Sequence, residues 1–235
     1  MVSIILPVFN EGKNITSQIS AIEKSVDFDH EVLIVYDFDE DNTVPVVRNL
    51  QKKIKKIQLV KNIFGRGVIN AVRTGIKKAK GDYLVVMPAD LADDPTTINR
   101  MYEKIEKGYD IVGATRYAKG GKKIGGERLK TFLSRLAGLS TPLLLGIPTT
   151  DIANGFKMYR RRVIEAINIE SDGGWEYAME TVIKAHFAGF KIGDVPSVWR
   201  DRTQGRSKFK LLKWLPKYLK WYAWGILCRF SDRKV

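Results

Sequence analysis

The chain alternates short runs of β-branched and other apolar residues with longer segments whose apolar residues recur at helical intervals. This alternation is typical of repeated βα units, so it predicts an α/β fold with a mostly parallel central sheet flanked by helices. The predicted strands are residues 2–8, 30–37, 57–62, 82–88 and 110–116, and the predicted helices are residues 12–25, 43–53, 67–79 and 95–107.

Acidic residues follow most of the predicted strands. The segments after strands one, two, four and five read "PVFNE" (7–11), "DFDED" (37–41), "PADLADD" (88–94) and "TRY" (115–117). In an open α/β sheet, ligands bind beyond the carboxyl ends of the strands. Carboxylates are costly to bury alone, and Mg²⁺ is often held by one or two of them together with substrate phosphates. The pattern therefore favours a metal-bridged nucleotide diphosphate.

Two other nucleotide-binding patterns fit poorly. The first predicted strand leads into "PVFNEGKN", which lacks the Gly-x-Gly-x-x-Gly turn of dinucleotide-binding proteins. The segment "FGRGVIN" (64–70) matches neither that turn nor a P-loop. The sequence thus argues against NAD or ATP binding through these motifs.

The positive charge is concentrated in the last part of the chain. The 235 residues carry a net charge of +14, and residues 200–235 hold eleven Lys or Arg against two Asp, a net charge of +9. Such a segment attracts phosphate, whether in nucleic acid, anionic lipid or a phosphorylated substrate. Because carboxylates line the predicted strand ends, we do not expect nucleic acid as a partner.

Cysteine content and apolar run lengths indicate the compartment. The single cysteine, Cys228, excludes an intrachain disulfide, and no Cys or His spacing suggests zinc. The start of the chain has no basic leader or cleavage site, and the apolar stretch 136–148 is too short to span a bilayer. These features predict a cytoplasmic protein.

Six segments, in order, resemble the family 2 glycosyltransferases of GT-A (nucleotide-diphospho-sugar transferase) fold. They are "ILPVFNE", "VLIVYD", "GRGVINAVRTGIKKAKGDYLVVMPADL", "VGATRYAKGG", "DIANGFKMYRRRVI" and "GFKIGDVPSVWRDRTQGRSK", which cover residues 2 to about 210. They are most similar to the dolichyl-phosphate mannose synthases and related polyprenyl-phosphate glycosyltransferases.

The resemblance implies an inverting transfer of a sugar to a polyprenyl (dolichyl or undecaprenyl) phosphate, on the cytosolic face of a membrane. The donor would be a GDP- or UDP-linked sugar, with GDP-mannose favoured by the subgroup, and the cofactor Mg²⁺ or Mn²⁺. A lipid phosphate is already an anionic nucleophile, so positioning and stabilisation of the leaving diphosphate suffice for catalysis. The alternatives are another donor or acceptor in cell-surface polysaccharide synthesis, or a nucleotide-sugar-binding subunit without turnover.

Site residues are implied where this sequence matches the family's motifs. Asp90, Arg116 and Arg128 would be catalytic, and Asp90 would bind the metal. Arg116, Arg128, Arg202 and Lys208 would face the phosphates of donor and acceptor. The positions implied for nucleotide or donor binding are Pro7, Phe9, Glu11, Val35, Asp37, Gly67, Ala89 and Asp90.

The acidic motif departs from the family pattern Asp-Ala-Asp-Leu-Gln-His-Pro. Pro88 stands in place of the first Asp, and Ala92 in place of the Gln. Asp93 or Asp39 is a hypothetical replacement metal ligand, whereas Asp94 precedes a proline and a helix and is expected to cap that helix.

Three further positions lie near the ends of the predicted strands. Phe38 stands where the family's Asp-Asp-Gly-Ser motif has Gly. Asp41 is a candidate helix cap. Gly67 is also interpreted as a turn residue before a helix.

The chain is expected to divide into a glycosyltransferase domain at residues 1–207 and a basic, aromatic, amphipathic segment at residues 208–235. Helical spacing puts most apolar side chains of this segment on one side and four lysines toward the other, with a kink or a division at Pro216. Such a segment suits a helix lying on an anionic membrane surface. The alternative is a helix packed on the domain.

Overall fold

The computed structural model describes residues 1–201 and 211–231. A seven-stranded sheet has the order β3-β2-β1-β4-β7-β5-β8, and a two-stranded sheet pairs β6 with β9. The strands are β1 Val2–Pro7, β2 His30–Tyr36, β3 Ile57–Lys61, β4 Tyr83–Val86, β5 Ile111–Thr115, β6 Lys122–Ile124, β7 Lys157–Arg160, β8 Ile192–Pro196 and β9 Val198–Arg200. The helices are α1 Ile15–Ser25, α2 Thr43–Gln51, α3 Val68–Lys78, α4 Thr97–Glu106, α5 Arg128–Leu144, α6 Arg161–Ala166, α7 Tyr177–Phe187 and α8 Leu211–Phe230.

The five predicted strands and four predicted helices are confirmed as β1 to β5 and α1 to α4, with ends that shift by up to three residues. The mostly parallel sheet is also confirmed. Its exception is β7, which runs antiparallel between β4 and β5 and pairs with both.

The sheet separates two apolar cores because successive side chains of a strand point to opposite faces. Ile4 and Ile34 lie in one core, which α1, α2 and α4 cover, whereas Ile5 and Val35 lie in the other. Helices α3, α6, α7 and α8 cover this second core. Burial on both faces explains why β1 and β2 are almost uninterrupted apolar runs.

Helix α8 packs on α7 through its aromatic face. The side chain of Trp221 is 3% exposed, and its indole Nε1 donates a hydrogen bond to Ser171 Oγ at 2.9 Å. The face of α8 that carries Trp221 is thus packed on the domain, which confirms that alternative for this face of the helix. Division of the helix at Pro216 is wrong, because α8 runs through that residue. The boundary at residue 208 lies outside the described residues and stays a prediction.

Within residues 1–201 and 211–231, each helix is too short or too polar to traverse a lipid bilayer.

Candidate active site

Three predicted site segments meet at one edge of the sheet. β2, β1 and β4 are neighbours and run parallel, so the segments 37–41, 7–11 and 88–94 leave the sheet side by side. The segment 115–117 follows β5, which β7 separates from β4. This edge is where a ligand binds in an open α/β sheet.

Asp37 anchors the loop between β3 and α3. Its Oδ1 accepts a hydrogen bond from Asn62 Nδ2 at 2.8 Å, and its Oδ2 accepts one from the backbone N–H of Gly67 at 2.9 Å. Gly67 has a φ of 122°, which favours glycine, and α3 begins at the next residue. The turn predicted at Gly67 is confirmed, and Asp37 holds it beside the strand ends.

Two phenylalanines lie close together at the ends of β1 and β2. The ring centroids of Phe9 and Phe38 are 5.6 Å apart in an edge-to-face arrangement, and 45% of Phe9 is exposed. The guanidinium of Arg66, from the loop that Asp37 anchors, lies 5.0 Å from the centroid of the Phe38 ring. We call these three residues the aromatic–arginine cluster.

Asp41 joins the loops after β1 and β2. Its carboxylate is fully buried and accepts hydrogen bonds from the backbone N–H groups of Asn10, at 2.9 Å, and Thr43, at 2.8 Å. The hydroxyl of Thr43, the first residue of α2, accepts the N–H of Glu11 at 2.9 Å. The capping role predicted for Asp41 is confirmed, and the same contacts fix the backbone of Glu11 at this edge.

Asp39 is a poor replacement metal ligand in this structure. Its carboxylate forms an ion pair with Lys61, and both side chains are more than half exposed. The hydrogen bond from Lys61 lowers the pKa of Asp39. The carboxylate is therefore already paired with a lysine at the rim of the sheet.

The acidic segment after β4 contains three carboxylates with different surroundings. Asp94 Oδ1 accepts the N–H of Thr96 at 3.0 Å in the turn before α4, which confirms its role at the start of that helix. Asp90 Oδ1 accepts the N–H of Ala92 at 3.2 Å. Asp93 is 5% exposed, and among the described residues its Oδ1 has no hydrogen-bond partner. Burial, and then the nearby charge of Asp90, raise the pKa of Asp93 to about 7.

This pair of carboxylates fits a divalent cation. A buried carboxylate oxygen without a donor is costly, and a cation would satisfy it. In the described part of the chain, no group of three or more His, Cys, Asp or Glu side chains is arranged to hold a metal. Asp90 and Asp93 would therefore need oxygen ligands from the substrate, as a diphosphate provides.

The side chain of Arg116 is mostly buried and forms an ion pair within the domain, while its predicted contact with substrate phosphates stays a prediction. Its Nε and Nη2 each donate to one oxygen of Asp151 at 2.7 Å, and Nη2 also donates to Ser134 Oγ at 3.0 Å. A buried guanidinium requires such a partner because an uncompensated buried charge is strongly destabilising. Sequence reasoning missed Asp151, although it begins the segment "DIANGFKMYRRRVI".

A buried lysine lies near this ion pair. Lys157 on β7 is 1% exposed, and its Nζ donates to the carbonyl oxygens of Ile152, at 3.1 Å, and Asn154. Burial lowers its pKa to about 8. Asp194 accepts hydrogen bonds from the hydroxyl of Thr149, at 2.8 Å, and from Thr150 N–H, at 2.7 Å. Lys157 and Asp194 thus form a buried polar group near Arg116 and Asp151.

Arg128 is exposed at the first position of α5, after two glycines with positive φ. Ser134, which contacts Arg116, lies six residues further along the same helix, or about 9 Å along its axis. The structure thus places Arg128 on the element that borders the Arg116 side of the site. Arg202 and Lys208 lie outside the described residues.

Two residues expected to bind the nucleotide have side chains in the apolar cores. Val35 is fully buried against α3, and Ala89 is buried in the opposite core. The strand places Val35 on the face that α3 covers, so a nucleotide could contact these two residues only through their backbone atoms, and their role stays a prediction. Pro7 ends β1 and is half-buried at the sheet edge.

The fold and this edge of the sheet define a glycosyltransferase of GT-A fold. The chain belongs to glycosyl transferase family 2, whose model matches residues 3–167. It is 29% identical over 231 residues to a dolichol-phosphate mannosyltransferase of Pyrococcus furiosus, covering 94% of this chain and 64% of that relative. It is 25% identical over 234 residues to a polyprenol monophosphomannose synthase of Mycolicibacterium smegmatis, covering 97% and 88%. The chain therefore spans just under two-thirds of the archaeal relative.

Solved structures with the same fold include glucosyl-3-phosphoglycerate synthase from Mycobacterium tuberculosis. Its complex with Mn²⁺, UDP-glucose and phosphoglyceric acid superposes with a TM-score of 0.72 at 17% identity, covering 96% of this chain and 79% of that one. Its complex with Mg²⁺ and UDP gives a TM-score of 0.70 at 17% identity, covering 97% and 79%. At this identity the likeness concerns the fold.

Proposed function

We propose that this chain transfers a sugar from a nucleotide-diphosphate sugar to a polyprenyl phosphate at a membrane surface, with inversion at the anomeric carbon. The observation that carries the proposal is the pair of carboxylates Asp90 and Asp93 at the carboxyl edge of the sheet, the same edge at which Asp37 anchors the loop before α3. The names of the two curated relatives support the acceptor class.

In this proposal Asp90 and Asp93 would hold a divalent cation at the donor diphosphate. Asp93 would contribute the buried oxygen that has no donor among the described residues. When bound, Mg²⁺ or Mn²⁺ supplies Lewis-acid stabilisation of the leaving diphosphate. The fold neighbour, whose structures contain Mn²⁺ or Mg²⁺, supports the choice of metal.

The remaining residues position the two substrates. Asp37 and Gly67 shape the nucleotide side, while Arg128, Arg202 and Lys208 attract the phosphates of donor and acceptor. Arg116 acts by holding Ser134 of α5 against the site through its ion pair with Asp151. Because the acceptor phosphate is already an anion, alignment for attack opposite the leaving group is the main requirement.

The membrane surface is contacted by an apolar ridge on α5 and α8. Five exposed apolar residues of α5 recur three or four positions apart, and α8 adds three more, one in its first half and two near its C-terminal end. The two helices touch where the hydroxyls of Ser140 and Tyr222 lie 2.6 Å apart and where Arg229 Nη1 donates to Leu143 O at 2.9 Å. The ridge comprises Leu129, Phe132, Leu136, Leu139, Leu143, Leu219, Leu227 and Phe230.

Exposed apolar side chains grouped on two touching helices indicate an interaction surface, and an amphipathic helix can lie in the headgroup region of a bilayer. The proposed membrane contact thus includes both α5 and α8, whereas the sequence analysis placed it on the C-terminal segment alone. The cytosolic face of the membrane remains part of this proposal.

A transfer assay tests the enzymatic part. We expect the full chain, with Mg²⁺ or Mn²⁺, to move label from a nucleotide sugar to a short polyprenyl phosphate, and Asp90→Ala to abolish this activity. Binding of nucleotide sugars without transfer to any polyprenyl phosphate would instead support a non-catalytic subunit.

Vesicle flotation tests the membrane part. With anionic vesicles, we expect the double variant Phe132→Ser, Leu136→Ser to bind less than the parent chain. Ile63→Ser removes an apolar side chain outside the ridge that is about as exposed as Leu136 and serves as the control. Equal flotation of all three proteins would contradict the proposed surface.

A further inference from the structure

We infer that Gln18 of α1 is a positioning residue for the acidic segment 88–94, and so for the two carboxylates, Asp90 and Asp93, that hold the metal in the proposed function. The inference rests on that function and deepens it, because it names the contact that fixes the direction of both carboxylates. Gln18 lies outside the six segments that carry the family resemblance.

Gln18 occupies a position of α1 where the helical pattern favours an apolar residue. Ile15 and Ile19 of the same helix are buried in the first core, and Gln18 is only 1% exposed. A buried amide is costly unless hydrogen bonds satisfy it. The amide has two contacts, and both are with one segment. Its Oε1 accepts the backbone N–H of Leu91 at 3.2 Å, and its Nε2 donates to Met87 Sδ at 3.6 Å.

The backbone of Leu91 has a conformation that a leucine does not favour by itself. Its φ is 61°, in the left-handed region that is costly for a residue with a Cβ atom. Such a conformation persists where surrounding contacts impose it, and it is found mainly at functional sites. The hydrogen bond from Leu91 N–H to Gln18 is a contact of this kind, because it fixes the orientation of the Leu91 peptide group.

The turn at Leu91 determines how the two carboxylates lie relative to each other. Asp90 precedes the turn, and its Oδ1 accepts the N–H of Ala92 at 3.2 Å. After the turn, the carbonyl oxygen of Ala92 accepts the N–H of Arg200 in β9 at 2.8 Å, and Asp93 forms an isolated β-bridge with the same strand. α1 therefore holds the segment at the turn, while β9 holds it just beyond.

The space beside the turn makes the contact with Gln18 important. A cavity of about 300 Å³ lies between α1, the acidic segment and β9, and Gln18, Leu91 and Arg200 are among the residues that line it. Close packing does not lock the turn on this side. Without its hydrogen bond, Leu91 could relax toward a favoured φ, and Asp90 would then turn away from Asp93.

Gln51 of α2 provides a matched control. Its Nε2 donates to the carbonyl oxygen of Ile57 at 3.3 Å, so it too is a partly buried helical glutamine whose amide contacts the backbone of another segment. Ile57 is the first residue of β3, which places this contact at the opposite end of the parallel strands from the acidic segment. A general effect of losing a glutamine amide would appear at both positions.

Calorimetric titration of the full chain with GDP and with UDP, each with and without Mg²⁺, tests the inference. We expect Mg²⁺ to increase the affinity for the nucleotide that the parent chain binds. Gln18→Met keeps the length of the side chain without its amide, and it should reduce this increase by about tenfold. The affinity measured without Mg²⁺ should stay at the parent value. Gln51→Met should change neither quantity.

A second substitution distinguishes positioning from a merely structural role. Leu91→Gly in the Gln18→Met background should restore part of the Mg²⁺ effect, because glycine adopts a positive φ without the penalty. Urea unfolding gives the stability of each variant. A loss of stability in Gln18→Met with an unchanged Mg²⁺ effect overturns the inference. Gln18→Leu is a second apolar replacement and should give the same result if Gln18→Met does not fold.

The outcomes separate this inference from the proposed function. An equal reduction of the Mg²⁺ effect in Gln51→Met, or nucleotide binding that Mg²⁺ does not strengthen in the parent chain, overturns the inference, and the transfer assay then decides the proposed function separately. A Mg²⁺ effect that Gln18→Met reduces, in a protein that transfers no sugar, supports the inference and overturns the proposed transfer. Absence of binding by either nucleotide overturns both.

Discussion

Asp93 is a buried carboxylate whose protonation differs between the folded and the unfolded chain. Its pKa is raised from 3.8 to about 7 by burial and by Asp90. Between these two values the folded state binds more protons than the unfolded state, so the free energy of unfolding falls as pH rises. The destabilisation is fully developed above about pH 7, where the buried group is ionised.

We expect the metal-free chain to lose about 1 kcal/mol of unfolding free energy between pH 6 and pH 8 from this residue. Asp93→Asn should remove this loss, because the amide does not titrate. Urea unfolding of both proteins at the two pH values measures it. Addition of Mg²⁺ with a nucleoside diphosphate should stabilise the parent chain more than Asp93→Asn. An identical pH dependence in both proteins would contradict the assignment.

The residues of the site differ in how far the sequence could predict them. Asp37 and Asp90 follow predicted strands of a parallel sheet, and the carboxyl ends of such strands meet at one edge. Asp151 is 35 residues from its partner Arg116 and precedes β7, an antiparallel strand that the βα pattern does not predict. No local spacing connects the two. Likewise, the alternation of side chains along β2 does not show which face of the sheet α3 covers, so the sequence could not predict that Val35 faces α3.

Helix α5 is one of the elements that the hydrophobic pattern left unassigned. It contains Pro142 and presents apolar side chains to the outside, so its periodicity does not indicate a core-facing helix. Its inner contact is made at Gly138, where an added Cβ would lie 1.9 Å from the carbonyl oxygen of Thr150. The absence of a side chain there allows α5 to approach the loop that carries Asp151.

Gly138→Ala should therefore displace α5 and destabilise the chain by about 1–3 kcal/mol, as overpacking in a rigid region usually does. The displacement should also weaken the hydrogen bond from Arg116 to Ser134 and reduce transfer activity. Leu139→Ala alters the neighbouring, exposed residue and should change stability by less than about 0.5 kcal/mol. Urea unfolding provides the comparison. Equal stabilities would show that α5 does not depend on this close approach.

At the scale of the whole molecule, α8 belongs to the second core while part of its surface remains apolar and exposed. Trp221 is buried on α7, and Leu227 is exposed on the ridge. The sequence predicted an amphipathic helix, but it could not show which apolar residues face the domain. That division depends on α5 and α7, which come from distant parts of the chain.

Trp221→Ala should destabilise the chain by about 3–5 kcal/mol, because it removes a large buried side chain and leaves Ser171 without its indole donor. Leu227→Ala should have little effect on unfolding and should instead reduce binding to anionic vesicles. Denaturant titration and flotation of the two variants measure these effects. A small loss of stability in Trp221→Ala would mean that α8 is only loosely attached.

The position of β7 in the sheet has a consequence for how the chain folds. β7 forms hydrogen bonds with β4 and β5 on its two sides, yet it follows both in the sequence, by about 70 residues in the case of β4. Such distant pairings slow folding, because long loops must close before the contacts form. During synthesis, the open edges of β4 and β5 are available to pair with other chains until β7 emerges. A chain that ends before residue 157 would lack β7, so the edges of β4 and β5 would stay unpaired and the chain should aggregate. It would not form the contacts that surround Arg116.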